Sequence, residues 1–339
     1  MKAAVLRKIG QPLCIEDIPV PEIAADEVLV ETRTCGICRT DLHIQDGLAY
    51  VPELPHVPGH EPAGVVAAVG GSVDNFEVGQ RVVPYLFVTC GQCRYCQAGR
   101  DAQCSHVSGI LGVTRPGAFA EYFVAPARNL LILPDNVDFS VGGLVSCAVI
   151  TAVHAYRRAR LSKGDVAIVI GAGGIGRLLV QILNANGVRA VAVSRSAQNL
   201  RLAEQAGAEL TLPLAAPDTA ARLSNFTGGE GAACAFDCVG TAATMKLSAD
   251  VVGRGGQIVV IGEEPEFPEI NTIQIAQREL EIIGSRNGSR QDAADAVAMM
   301  ASGAITPQIV ARYPLDQINE ALDYVRSGQS HGRVIVDIS

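Results

Sequence analysis

Residues 166–176 read Val166-Ala167-Ile168-Val169-Ile170-Gly171-Ala172-Gly173-Gly174-Ile175-Gly176. The first five form an unbroken apolar run of the kind buried on both faces of a parallel sheet. The run opens directly into Gly-x-Gly-x-x-Gly, and a helical stretch follows to about Asn186. Alone, that glycine spacing carries little weight, because 35 of the 339 residues are glycine. Between a strand and a helix it has the context in which it binds a dinucleotide. Gly171 permits the tight turn, Gly173 lets backbone approach a pyrophosphate, and Gly176 allows close helix packing, with Gly174 inside the same loop. The helix N-terminus then offers free N–H groups and the positive end of its dipole to phosphate.

Toward the C-terminus the pattern repeats. A strand predicted over 189–193 ends in Ser194-Arg195-Ser196. In NAD-binding units an acidic residue at this distance accepts hydrogen bonds from the ribose 2′-hydroxyl. Here Ser194 takes that place, beside Arg195. A carboxylate would repel a 2′-phosphate, whereas a hydroxyl and a guanidinium bind one through charge-assisted hydrogen bonds. The expected cofactor is therefore NADP(H), with NAD(H) the alternative if Arg195 is merely solvated. Further strands over 209–213, 234–237, 257–261 and 280–283, with helices over 197–206 and 241–252, make up about six parallel strands, a doubly wound sheet. After Gly284 the spacing predicts helices over 291–302 and 316–327 and a closing strand over 332–336.

Toward the N-terminus, residues 142–155 read as one helix carrying Cys147, with Thr151 a turn further on the same face. His154 reads as a surface or core histidine of that helix. Upstream, Cys90-x2-Cys93-x2-Cys96-x7-Cys104 places four thiols in one loop. Four thiolates close a tetrahedral shell with no open position, which is a structural zinc site. An iron–sulfur cluster uses the same ligands, but no electron-transfer context accompanies them. Short segments over 3–5, 13–18, 28–34, 65–69, 81–84, 123–124 and 130–134, punctuated by Pro and Gly, indicate a small β-barrel-like unit. Within it, Thr34-Cys35-Gly36-Ile37-Cys38-Arg39-Thr40-Asp41-Leu42-His43 and Gly59-His60-Glu61-Pro62-Ala63-Gly64 crowd together thiols, imidazoles and carboxylates. Soft thiolate and neutral imidazole are zinc-type ligands, and three suffice where substrate takes the fourth position. Cys38, His60 and Cys147 are the expected set. Asp41 would fix the His60 tautomer and Glu61 adjust the local charge without ligating. Thr40 and His43 can relay a proton, since threonine both donates and accepts and imidazole titrates near neutrality.

Cys38-Arg39-Thr40-Asp41-Leu42-His43 followed by Gly59-His60-Glu61-x-x-Gly64 resembles the medium-chain, zinc-dependent alcohol dehydrogenases, and the likeness extends over essentially the whole chain. The resemblance implies an α/β protein with a discontinuous, GroES-like β-rich catalytic domain over 1–152 and 288–339 and a Rossmann domain over 153–287. It makes Cys38 rather than Cys35 the ligand, Cys147 the third ligand, and Thr40 and His43 the proton relay. It places Ile175 against the nicotinamide and the segments holding Val239, Ile261 and Gly262 along the nicotinamide side. Thr151 and Ser285 join the cofactor contacts, and Arg39 and Arg333 meet the pyrophosphate. Two zinc ions per subunit and a homodimer or homotetramer are implied. A cysteine third ligand favours simple alcohols, aldehydes or ketones over polyols. Tyr50, Leu86 and Ile110 are candidate pocket walls.

Composition bounds these expectations. The chain is long enough for two domains, and a net charge of −8 argues against nucleic acid or an anionic membrane as partner. No apolar run reaches transmembrane length, and the N-terminus reads as a strand without an export signal, so a cytoplasmic protein is expected. Ten cysteines then point to metal rather than disulfides, leaving Cys14, Cys35, Cys234 and Cys238 as buried small hydrophobes. Two other readings compete: a zinc-free quinone or enoyl reductase of the same fold, and a non-catalytic cofactor-binding protein.

Overall fold

The computed structural model of the chain describes residues 1–48, 52–264 and 266–338. It resolves into two compact units, Met1–Ile150 with Ser289–Ser339, and Thr151–Gly288.

The first unit is built on Glu27–Ile37, whose side chains alternate half-buried and buried before Cys35, Gly36 and Ile37 close it as a fully buried end. This strand pairs antiparallel with Glu61–Val69, Tyr122–Pro126 and Arg333–Asp337. The last pairing, Val334 opposite Ile37, stitches the C-terminal residues into a sheet begun by the N-terminal ones. The strand runs three residues beyond the predicted end at Thr34. Gly36 does not break it, because the absent side chain leaves room for a neighbour: a Cβ there would lie 2.4 Å from the Glu61 carboxylate. At its end the chain turns into the helix Arg39–Asp46, which the sequence reading did not anticipate. Asp41 nucleates it by accepting the Cys38 N–H at 2.8 Å, and Gly47 at φ 69° ends it.

The helix predicted over 142–155 is broken. Phe139–Gly142 is helical, Gly143–Ser146 tightens to a 3-10 turn, and Ala148–Arg158 follows at an angle of 50°. Gly143 packs so close to the Glu61–Pro62 backbone that a Cβ would meet the Glu61 carbonyl at 2.3 Å. Cys147 sits at the break with φ −131° and ψ −70°, outside helical geometry. The shared helix face expected for Cys147 and Thr151 therefore does not exist.

The second unit is a six-stranded parallel sheet in the order Leu210–Pro213, Arg189–Ser194, Val166–Ile170, Ala232–Asp237, Val252–Val260, Glu281–Gly284. Numbered along the chain, this is 3-2-1-4-5-6, the doubly wound dinucleotide-binding order. Ile168, Ile170, Val191, Val193 and Leu212 form one apolar layer, and Ala235, Ile258, Met245 and Leu280 belong to another. Fully burying each of the larger side chains contributes roughly 1.5–3 kcal/mol. Among the described residues no single helix is long and apolar enough to cross a membrane.

Candidate functional site

Register explains how distant residues meet. Gly36 lies opposite Glu61 across the antiparallel pair, so Cys38, just past one strand, comes beside His60, just before the other. The backbone break at Cys147 supplies the third side chain. One ligand atom each from Cys38, His60, Glu61 and Cys147 falls within 4.8 Å of the other three. His60 is buried, its Nδ1 stands 3.0 Å from Asp41 Oδ1, and its Nε2 has no hydrogen-bond partner. With Nδ1 turned to Asp41, Nε2 is the ring nitrogen left for a metal once its proton is displaced. Glu61 Oε1 is equally buried and unpartnered, while its other oxygen accepts from the Arg333 guanidinium. Glu61 was expected only to adjust charge. Its carboxylate lies among the groups that could hold a metal ion, in space left by the missing Gly36 side chain.

The donors of the cluster perturb one another's protons. Sharing a proton with Cys147 holds the Cys38 thiol well below its usual value, and the same sharing pushes Cys147 well up. Burial raises Glu61 to about 7, against the pull of Arg333. Burial also works against a protonated His60, but the Asp41 carboxylate more than offsets it and the imidazole is held well above its usual range. A metal ion that displaced the proton shared by the two thiols and the one on His60 Nε2 would find two sulfurs and an imidazole nitrogen together, and zinc suits that donor set.

The second cluster is a closed sulfur shell. The Sγ atoms of Cys90, Cys93, Cys96 and Cys104 all lie within 4.8 Å of one another, with Cys90–Cys96, Cys93–Cys96, Cys93–Cys104 and Cys90–Cys104 at 3.6–4.0 Å. Zinc–sulfur bonds of about 2.3 Å at tetrahedral angles require an edge of about 3.8 Å. None of these cysteines is in a disulfide; of the four expected as buried hydrophobes, Cys35 and Cys234 are buried and Cys238 half-buried, but Cys14 is exposed. Backbone N–H groups of Cys93 and His106 point at Cys90 and Cys104 sulfur at 3.4 Å. Similar donors from Cys96 and Ser105 lower Cys93 to about 5, whereas burial pushes Cys96 up to about 12.

In the second unit the glycines take distinct positions. Gly171 adopts φ 95°, a Cβ on Gly176 would strike the Gly171 carbonyl at 2.1 Å, and a Cβ on Gly173 would meet nothing within 4 Å. Gly173 caps the helix Gly174–Ala185. The N-terminus of that helix therefore has open space beside Gly173. Ser194 is buried at the end of its strand and Arg195 is exposed beside it. The Asp237 carboxylate accepts the N–H groups of Val239 and Gly240, and its carbonyl accepts those of Ile261 and Gly262, so one residue ties the two loops together. Ser285 hangs from the Val260 carbonyl with its buried hydroxyl unpartnered. Ile175 is half-buried in the first turn of the glycine-loop helix, and Thr151 is buried.

Thr40 Oγ1 is 3.7 Å from Cys38 Sγ, and His43 is half-buried on the same helix. Arg39 is exposed at the first turn. Arg333 is committed through Nη2 to Glu61 and the Ile37 carbonyl, with Nε unpartnered. Leu86 is buried and Ile110 half-buried, and Tyr50 lies outside the described residues.

Comparison with known proteins agrees with this geometry. Residues 24–135 match the alcohol dehydrogenase GroES-like domain and residues 174–302 the zinc-binding dehydrogenase family. An alcohol dehydrogenase of Geobacillus stearothermophilus is 34% identical, with 100% of each chain covered. An L-threonine 3-dehydrogenase of Anaeromyxobacter sp. is 34% identical over 99% of each. A solved NAD-dependent alcohol dehydrogenase superposes with a TM-score of 0.93 at 30% identity, covering 100% of both chains. The chain belongs to the zinc-dependent medium-chain alcohol dehydrogenase family and is an oxidoreductase of that family.

Proposed function

We propose that the protein interconverts a simple alcohol and its aldehyde or ketone, with NADP(H) preferred to NAD(H) and two zinc ions per subunit. The observation that carries this reading is the cluster of Cys38, His60, Glu61 and Cys147, with His60 Nε2 buried and without a hydrogen-bond partner. Cys38, His60 and Cys147 hold the catalytic zinc, and Cys90, Cys93, Cys96 and Cys104 the structural one. When bound, the catalytic zinc supplies Lewis acidity toward the substrate oxygen, and the nicotinamide supplies or accepts the hydride.

The chain's own groups do the rest. Asp41 keeps the His60 proton on Nδ1. Thr40 Oγ1 takes the substrate hydroxyl proton while passing its own toward the His43 imidazole. Glu61, paired with Arg333, sets the charge beside the ligands and offers Oε1 as a further oxygen donor. Gly171, Gly173, Gly174 and Gly176 receive the pyrophosphate, and Ser194 and Arg195 receive the 2′-phosphate. Thr151, Ile175, Val239, Ile261, Gly262 and Ser285 surround the nicotinamide. The protein acts as a cytoplasmic homodimer or homotetramer.

The threonine and NAD-dependent relatives define the contest over substrate and cofactor. A panel of primary and secondary alcohols, aldehydes, ketones and L-threonine, assayed with both cofactors, tests the proposal. It stands if kcat/KM is higher for a simple alcohol or carbonyl with NADP(H). A preference for L-threonine removes the substrate assignment, and a preference for NAD(H) removes the cofactor assignment.

A further inference from the structure

Arg177 lies in the first turn of the glycine-loop helix and is only 6% exposed. A cation there is opposed twice, by burial and by the positive end of the helix dipole. Its Nη1 donates to the Ala172 carbonyl within the glycine loop at 3.1 Å and to Asn199 Oδ1 at 3.3 Å. The Asn199 N–H in turn donates to Ser196 Oγ at 3.2 Å, and the Ser196 N–H to Ser194 Oγ at 3.4 Å. A connected path of hydrogen bonds therefore runs from the pyrophosphate loop, through one buried guanidinium, to the hydroxyl assigned to the 2′ position.

We infer that Arg177 is a positioning residue that sets the discrimination between NADP(H) and NAD(H). It holds the Ser194–Ser196 loop at a fixed distance from the glycine loop and adds buried positive charge behind both. This rests on the reading of the second unit as a nicotinamide-dinucleotide site. Both dinucleotides need the glycine loop. Only NADP(H) carries a further phosphate, whose charge-assisted bonds depend most on loop placement and on nearby positive charge. Loss of Arg177 thus weakens NADP(H) selectively, although the guanidinium spends Nη1 on protein oxygens.

The test measures Kd for NADPH and NADH by nicotinamide fluorescence on the zinc-loaded protein, in wild type, Arg177→Met, Arg177→Lys, Asn199→Ala and the Arg177→Met/Asn199→Ala double variant. Arg177→Met should raise Kd for NADPH about tenfold and for NADH no more than about threefold, the scale of one charged hydrogen bond. Arg177→Lys should restore part of the difference. Asn199→Ala should move the ratio of the two constants the same way by a smaller factor, and the double variant should be little worse than Arg177→Met alone. Should Arg177→Met fold poorly, the half-buried Asn199→Ala carries the same readout. An unchanged ratio, or equal weakening of both dinucleotides, overturns the inference and leaves the functional reading standing. A wild type that binds neither dinucleotide overturns the functional reading instead.

Discussion

Replacing Asp41 with Asn changes one atom in a carboxylate that is 2% exposed and makes two decisive contacts. Oδ2 accepts the Cys38 N–H at 2.8 Å, and Oδ1 faces His60 Nδ1 at 3.0 Å. Asparagine can satisfy only one of them. If its oxygen stays on Cys38, its NH2 faces His60 Nδ1, which must then accept, and the ring proton moves to Nε2, the atom needed for metal. If the oxygen turns to His60, two donors meet at Cys38 and the first turn of Arg39–Asp46 loses its anchor. Either arrangement leaves a buried group mispaired, at a cost of about 1–3 kcal/mol. That matches the roughly 10–100-fold loss of metal affinity found when a partner behind a ligating histidine is removed. Competition with a chromogenic chelator measures it, with the four-cysteine site, which Asp41 does not touch, as an internal control. Asp41→Asn should lose one zinc at a chelator concentration wild type withstands, keep the other, and lose turnover in proportion to the zinc released. Two zinc ions held as tightly as in wild type would refute the tautomer argument.

Four further outcomes follow from other features of the structure. Gly173→Ala places a methyl in open space; it should leave Tm nearly unchanged yet raise the cofactor KM at least about tenfold, because the methyl occupies the pyrophosphate's approach. Gly176→Ala drives a methyl into the Gly171 carbonyl and should instead lower Tm, by several degrees for a cost of about 2 kcal/mol. Glu61 ionises near 7 in the folded, metal-free chain but in the usual carboxylate range when unfolded. The native state therefore binds more protons between about pH 4.5 and 7, and the stability of the metal-free protein should fall as pH rises through that window. Melting curves of metal-free Glu61→Gln should lack that part of the slope, and an identical slope would sink the assignment. Finally, Ser194→Asp puts a carboxylate where a 2′-phosphate is proposed to sit, and should shift the kcat/KM ratio toward NAD(H) by at least about tenfold; no shift would remove Ser194 from the 2′ site.

Much of the fold could be read from local pattern, and what could not depended on pairing. The run from Val166 to Gly176 carries its own context, strand then glycine loop then helix, so the doubly wound sheet followed from a short window. The thiols and imidazoles announced metal by their type and spacing. Neither periodicity nor composition, however, tells which residue of Glu61–Val69 lies opposite Gly36, and that register brings Glu61 among the groups that could hold a metal ion. The break at Cys147 was equally hidden, because an apolar Gly142–Ala155 stretch looks helical until Gly143 must pack on the Glu61 backbone. The helix Arg39–Asp46 did have a signal, an acidic residue three after Cys38 and a glycine at 47. It was masked because cysteine is an unusual residue at a helix start.

Cys38, His60 and Cys147 are proposed to hold a catalytic metal apart from the four-cysteine site. Metal analysis of purified wild type and Cys38→Ala, paired with turnover and NADPH binding, tests it most directly. Wild type should carry about two zinc ions per chain. Cys38→Ala should keep one zinc and its NADPH affinity but lose turnover. A Cys38→Ala protein with both zinc ions and full activity, or an active wild type with none, would contradict the account.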